Sequence, residues 1–207
     1  MKSIACHCKK EIHSCKLIVV TGGPGAGKTA VLDAAKKMLC QHIGVLPESA
    51  SIIYNGGFWR KESLIARKAA QRAIFSVQRE LEIITLNEGE WSIGLCDRGS
   101  LDGLAYWPGT DEELFSHFQT SLSKEFDRYA AVIHLCTPSL HEGYNHQNPV
   151  RIESATEAIR IDEKIAQIWK GHPNFVSIPS THHFTEKLNI ALRLIKKEIA
   201  ECCADLV

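Results

Sequence analysis

The residues with the clearest capacity for chemistry are Gly22-Gly23-Pro24-Gly25-Ala26-Gly27-Lys28-Thr29, which set glycines, a lysine and a hydroxyl at the spacing G-x-x-x-x-G-K-[ST]. Glycines leave successive backbone N–H groups free to turn inward around phosphate oxygens, where a Cβ would intrude. Lys28 then reaches the β- and γ-phosphates as a point charge, and Thr29 offers a hydroxyl to Mg²⁺. Thr29 and Ala30 open a helix, so its N-terminus adds partial positive charge beneath the phosphates. The pattern needs a strand before it and a helix after it. Both are legible: Leu17-Ile18-Val19-Val20-Thr21 is an apolar, β-branched run, and Val31, Leu32, Ala34, Ala35, Met38 and Leu39 follow at helical spacing.

Two further positions suit the same chemistry. In a parallel α/β sheet, ligands gather at the carboxyl ends of strands, so polar residues that terminate apolar runs are the natural candidates. Ile93-Gly94-Leu95-Cys96 ends in Asp97, which would bring a carboxylate beside the phosphate loop to hold Mg²⁺ or its water. Arg98 follows at once and can clamp a phosphate or orient a neighbouring carboxylate. A purely structural Asp-Arg-Gly turn is the alternative. Ile43 to Leu46 ends in Pro47-Glu48, which makes Glu48 a candidate general base, against the plainer reading of an exposed turn carboxylate.

The elements that must position these groups follow from the alternation of short apolar runs with helical patterns, an α/β signature with a parallel sheet covered on both faces. Strands are expected at Leu17–Thr21, Ile43–Leu46, Ser92–Cys96, Ala131–Cys136 and Phe175–Ile178. A long helix is expected from Arg60 to Leu86, burying Ala66, Ala70, Ala73, Ile74, Val77, Leu81 and Ile84. Arg60, Arg67, Gln71 and Gln78 fall on one line beside that stripe, either looking into a cleft or covering its edge. Tyr106 and Trp107 read as core residues, and Asp102 as a support for Arg98 or a helix cap. His182-His183 is placed at the start of a last helix running to about Cys203.

Composition narrows the partners. In 207 residues, 24 Lys and Arg balance 24 Asp and Glu, so no net charge attracts nucleic acid or an acidic membrane. With 44% apolar and 23% charged residues and no bilayer-length apolar run, the chain reads as a soluble, cytoplasmic protein. The eight cysteines are expected to be reduced thiols, most of them packing residues. Cys6-His7-Cys8 with His13 and Cys15 has zinc-ligand residue types, but the spacing fits no standard finger, and a metal-free tail over residues 1–15 is expected before one domain over 16–207.

Taken together, Val20 to Thr29, Pro47-Glu48, Asp97-Arg98-Gly99 with Asp102 to Trp107, and Asn148-x-x-Arg151-x-Glu153 resemble the AAA-like ATPase domain family of NadR type, within the P-loop nucleoside and nucleotide kinases. The likeness runs from about Lys16 to the last helix. It implies a three-layer fold with strand order 2-3-1-4-5, a nucleotide over Gly22 to Ala30, and an acceptor between Glu48, Asp97-Arg98 and the long helix. It further implies Glu48 as base and an arginine-bearing lid over His141 to Arg151. Arg151 is the lid arginine this likeness implies, while Tyr144 to Pro149 departs from the kinase lid pattern in containing no arginine cluster.

The expected function is Mg²⁺-dependent transfer of a phosphoryl group from ATP, GTP being possible, to a small nucleoside- or nucleotide-like acceptor. Lys28, Glu48, Asp97, Arg98 and Arg151 would act on the reacting groups, and Thr29 and Asp97 on the metal. The alternative is a nucleotide-dependent regulatory module with slow or no hydrolysis. An ordinary GTPase is disfavoured, since no Asn-Lys-x-Asp guanine-reading motif occurs. Oligomeric state is not legible.

Overall fold

A computed structural model describes residues 14–138, 155–180 and 183–199. The chain enters through β1 (Lys16–Thr21), turns through the glycine loop into α1 (Lys28–Met38), and returns as β2 (Ile43–Leu46). A short α2 (Ser49–Asn55) leads to α3 (Leu64–Glu88) and β3 (Ile93–Asp97). A 3-10 turn at Ser100–Ala105 precedes α4 (Asp111–Phe118), α5 (Leu122–Phe126) and β4 (Ala131–Leu135). The remaining described elements are α6 (Ala155–Trp169), β5 (Phe175–Ile178) and α7 (Phe184–Lys197). All five strands are parallel, in the order β2-β3-β1-β4-β5. The fold is the expected three-layer α/β arrangement of P-loop NTPases.

The two-residue period of a strand explains how one sheet builds two cores. Ile18 and Val20 of β1 face α1 and α7, joining Ile93, Leu95, Ile133, Leu135, Ala191 and Ile195. Leu17 and Val19 point the other way, toward Cys96, Leu101, Val132, Ile165 and Trp169. A central strand buried on both faces must read as a continuous apolar run, and Leu17 to Val20 does so. No helix among the described residues is long and apolar enough to cross a membrane.

Two expectations are corrected. The long helix begins at Leu64, where the Ser63 hydroxyl accepts from the Ala66 amide at 3.3 Å, and ends at Gly89 in the left-handed conformation, φ 63°. Its buried positions are Ala70, Phe75, Gln78, Glu82 and Thr85, whereas Ile84 is 55% exposed. Apolar spacing misplaced this face because its polar members are paired. The Ser49 hydroxyl donates to Gln78 Oε1 at 2.8 Å, the Gln78 amide to Glu82 Oε1 at 2.8 Å, and the Tyr129 hydroxyl to Glu82 Oε1 at 2.7 Å. Arg128 closes the network as an ion pair with Glu82. Buried polar groups are tolerated when so satisfied, and apolar periodicity is blind to them. Strand ends shift by one residue: β3 runs through Asp97, and β4 stops at Leu135.

Candidate functional site

The glycine loop is shaped by backbone angles that other residues rarely adopt. Gly22, Gly25 and Gly27 have φ of 142°, 84° and 95°. A Cβ on Gly22 would lie 2.2 Å from the Leu135 carbonyl oxygen, and one on Gly27 would lie 2.4 Å from the Phe184 ring. Gly27 stands at the N-cap of α1 with no side chain capping the helix, so the first amides of α1 have no intrahelical acceptor and are left for an anion. The loop is held from outside the cradle: the Gly23 amide donates to Asp162 Oδ1 at 2.6 Å, and the Thr137 hydroxyl to the Pro24 carbonyl at 3.3 Å.

Lys28 donates to the carbonyls of Gly22 and Gly23 at 3.0 and 3.2 Å. Burial, reinforced by the Arg98 charge, lowers its pKa from 10.5 to about 8, against the opposing pull of Asp97, Glu48 and Asp102. An ammonium held in so dry a place is poised for an anion. Asp97 ends β3 in register with Val20 of β1, one residue short of the loop's own strand end. Its Oδ1 is the one buried side-chain polar atom without a hydrogen-bond partner among the described residues, and burial raises the carboxyl's pKa. A buried carboxylate oxygen with no donor suits a cation, so Asp97 with Thr29 fits a magnesium ion.

Arg98 is the pivot of the site. Its φ of 79° lies in the left-handed region, a conformation that costs a non-glycine residue about 1–3 kcal/mol and that concentrates at functional positions. Surrounding contacts impose it. The guanidinium donates from Nε to Glu48 Oε1 at 2.7 Å and from Nη1 to the Gly22 carbonyl at 3.3 Å, with Asp102 Oδ2 at 3.5 Å. Asp102 accepts in turn from the Thr21 hydroxyl at 2.5 Å and from the Trp169 indole at 2.6 Å. Glu48, which precedes α2, also accepts from the Ser51 hydroxyl at 2.5 Å. Burial works to raise the Glu48 pKa, but Arg98 and Ser51 outweigh it and leave the carboxyl below its usual range.

These groups line one cleft of about 330 Å³, walled by Pro24, Gly25, Lys28 and Thr29 of the loop, by Glu48, Asp97, Arg98 and Asp102, and by one face of α3. Arg67, Gln71 and Gln78 look into it, as the helical line through them allows, and Arg60 joins them from the segment before α3. Tyr106 lines the cleft, whereas Trp107 is buried in the core. Sequence reasoning missed Tyr54 and Trp59, which line the cleft from α2 and the segment after it, and Thr21 and Asp162, whose partners Asp102, Gly23 and His134 are remote in sequence and leave no local pattern. His183 stands at the N-cap of α7, as expected. Arg151 and the lid segment, Cys6, His7, Cys8 and His13, and His182, Cys202 and Cys203 lie outside the described residues.

A parallel sheet in this order, with a glycine loop leading from its central strand into a helix that opens on Lys28 and Thr29, defines a P-loop nucleotide-binding fold. More narrowly, the chain belongs to the AAA domain family, whose model matches residues 17–187. No curated protein matches the chain. Nucleotide binding follows from this membership and from the loop.

A polyphosphate seated against Lys28 restores a high pKa to the ammonium, which gives binding a proton signature. Above about pH 8 the free protein has lost much of this charge, so binding must recover it and weakens as pH rises further. At about pH 8.5, titration calorimetry in buffers of different ionisation enthalpy is expected to show net proton uptake on binding. At about pH 6.5, where Lys28 is already charged, this contribution vanishes. Binding heats independent of the buffer at the higher pH would contradict the placement.

Proposed function

We propose that the protein is a phosphotransferase of the NadR-type branch, moving the γ-phosphoryl of ATP to a hydroxyl or phosphate of a small nucleoside-like acceptor. The observation that carries this reading is the shared cleft, which the Glu48–Arg98 ion pair lines together with Lys28 and Asp97. The same cleft bears aromatic rings, Tyr54 and Trp59, and the amide of Gln71, a lining suited to a planar base with polar edges. Catalysis of this kind is chiefly positioning and charge neutralisation.

In this reading Lys28 draws off charge developing on the phosphoryl oxygens, and the loop amides fix the polyphosphate. Thr29 and Asp97 hold Mg²⁺, which supplies neutralising charge to the phosphates when bound. Glu48 accepts the proton of the acceptor hydroxyl, and Arg98 fixes Glu48 and Asp102 on the rim. Arg151 is assigned as the lid arginine on the resemblance alone.

A second reading has its own support. Glu48 already engages both oxygens, and its lowered pKa makes it a weak base, which favours a nucleotide-dependent binding module with little turnover. ADP release from Mg-ATP, measured with a panel of nucleosides and nucleotides, separates the two. Acceptor-stimulated release supports the kinase, and flat release with tight nucleotide retention supports the module. For the kinase, Glu48→Gln is expected to lower the stimulated rate about 10²–10⁴-fold with ATP affinity little changed. A rate within twofold of the unsubstituted protein would remove Glu48 from the base role.

A further inference from the structure

On the far side of β1 from Glu48, four polar side chains meet outside the cleft. His134 of β4 places Nε2 3.2 Å from Asp162 Oδ1 of α6, and Nδ1 2.9 Å from Ser177 Oγ of β5. Cys136, just beyond β4, has its Sγ 3.3 Å from Ser177 Oγ and 3.8 Å from His134 Nδ1. The imidazole faces the carboxylate with one nitrogen and the serine and thiol with the other. This is the order of a relay, in which a protonated His134 donates to Asp162 and Ser177, and Ser177 donates to the Cys136 sulfur. His134, Cys136 and Asp162 each offer a ligand atom within 4.8 Å of the others, but the nitrogen that bonds Asp162 is not the one that bonds Ser177 and Cys136, and the contacts are those of a hydrogen-bonded chain.

We propose that Cys136 is a modification site: a thiolate held by His134 and Ser177 that exchanges with small-molecule disulfides such as oxidised glutathione. The thiolate sulfur attacks one sulfur of R–S–S–R, the new Cys136–S–S–R bond forms as the old S–S bond breaks, and the departing RS⁻ takes a proton from solvent. The cysteine is oxidised to the mixed disulfide and the released half is reduced to thiol, so no other oxidant is needed.

Charge and access agree with this chemistry. Burial works to lower the His134 pKa, but the Asp162 hydrogen bond, with Cys136, outweighs it and raises the value to about 9. His134 in turn lowers the Cys136 thiol, against the effect of partial burial. Among the described residues, Lys187 of α7 also stands at this corner, donating to the Cys136 carbonyl at 2.7 Å. Cys136 is half-buried beside the exposed Ser177, while Cys40 and Cys96 are buried and burial raises the Cys15 pKa. The site also touches the phosphate loop. Asp162 Oδ1, partner of His134, accepts the Gly23 amide, and Lys187, partner of the Cys136 carbonyl, reaches the Ala26 carbonyl at 3.4 Å. Modification should therefore loosen the loop, and any effect on nucleotide rests on the reading above.

The test treats the full chain with oxidised glutathione at pH 7 and maps each cysteine by peptide mass spectrometry. Cys136 is expected to react at least about tenfold faster than Cys15, and His134→Asn to slow Cys136 about tenfold with the Cys15 rate unchanged; because His134 is buried against Asp162, its loss also lowers the melting temperature, so both rates are read well below the variant's own transition. His134→Asn should also move the iodoacetamide pH profile of Cys136 up toward that of an ordinary thiol. In the modified protein, hydrogen exchange of residues 22–29 should quicken; Cys136→Ser, treated identically, should show no such change. Equal rates at Cys136 and Cys15, or a Cys136 rate indifferent to His134→Asn, would overturn the proposal. Unchanged loop exchange would overturn its link to the loop. None of these readouts requires nucleotide, so they stand apart from the proposed phosphotransfer.

Discussion

Replacing Lys28 by alanine is expected to lower phosphotransfer about a hundred- to a thousandfold while leaving the melting temperature of the free protein unreduced. The two halves of that expectation have different origins. The ammonium is bonded to the carbonyls of Gly22 and Gly23, so its loss removes a charge held within the loop, where phosphoryl oxygens would develop theirs. In the free protein the same charge is a burden. Its pKa is depressed to about 8, so the folded state is penalised below that pH and relieved only as pH rises from 8 toward the unfolded value. Alanine removes the penalty along with the two hydrogen bonds. Activity within a few-fold of the unsubstituted protein, or a large fall in melting temperature, would contradict the assignment.

The second large effect is on stability. Gly22→Ala is expected to cost about 3 kcal/mol or more, since its Cβ would lie 2.2 Å from the Leu135 carbonyl oxygen at a φ of 142°. The obstructing atom belongs to the backbone of β4 and cannot swing aside as a flexible side chain would. For a domain of this length the loss corresponds to a fall of roughly 10 °C in melting temperature, measurable by calorimetry or circular dichroism. Gly57→Ala makes a control: it also has positive φ, at 93°, but its Cβ would meet nothing within 4 Å, so only backbone strain is added. Equal effects at the two positions would show that close approach to β4 is not what fixes Gly22.

What the sequence made legible was local in origin. A strand, a glycine run and a helix in succession specify the loop, and the strand-end positions of Glu48 and Asp97 place both on one rim without any knowledge of tertiary contacts. The line through Arg67, Gln71 and Gln78 was readable because a helix repeats every 3.6 residues. The same rule failed on the buried face of α3, where Gln78, Glu82 and Thr85 replace apolar residues because Ser49 satisfies Gln78, Arg128 and Tyr129 satisfy Glu82, and Thr85 donates to the Leu81 carbonyl of its own helix. Ser49 and the Arg128-Tyr129 pair come from two other segments of the chain. Asp102 illustrates the limit further, since its bonds to Thr21 and Trp169 join positions 81 and 67 residues apart. The cluster of His134, Cys136, Asp162 and Ser177 is likewise invisible until β4, β5 and α6 are packed together.

The central claim is that the backbone from Gly22 to Thr29 encloses a polyphosphate and that Asp97 shares its metal. A crystal structure with a non-hydrolysable ATP analogue and Mn²⁺, using the anomalous signal of the manganese, tests it most directly. The account predicts phosphate oxygens within hydrogen-bonding distance of the loop amides, Lys28 Nζ turned from the Gly22 and Gly23 carbonyls onto them, and the manganese peak beside Thr29 Oγ1 and Asp97. Phosphates bound elsewhere, or a metal with Asp97 neither coordinating it nor holding its water, would contradict it.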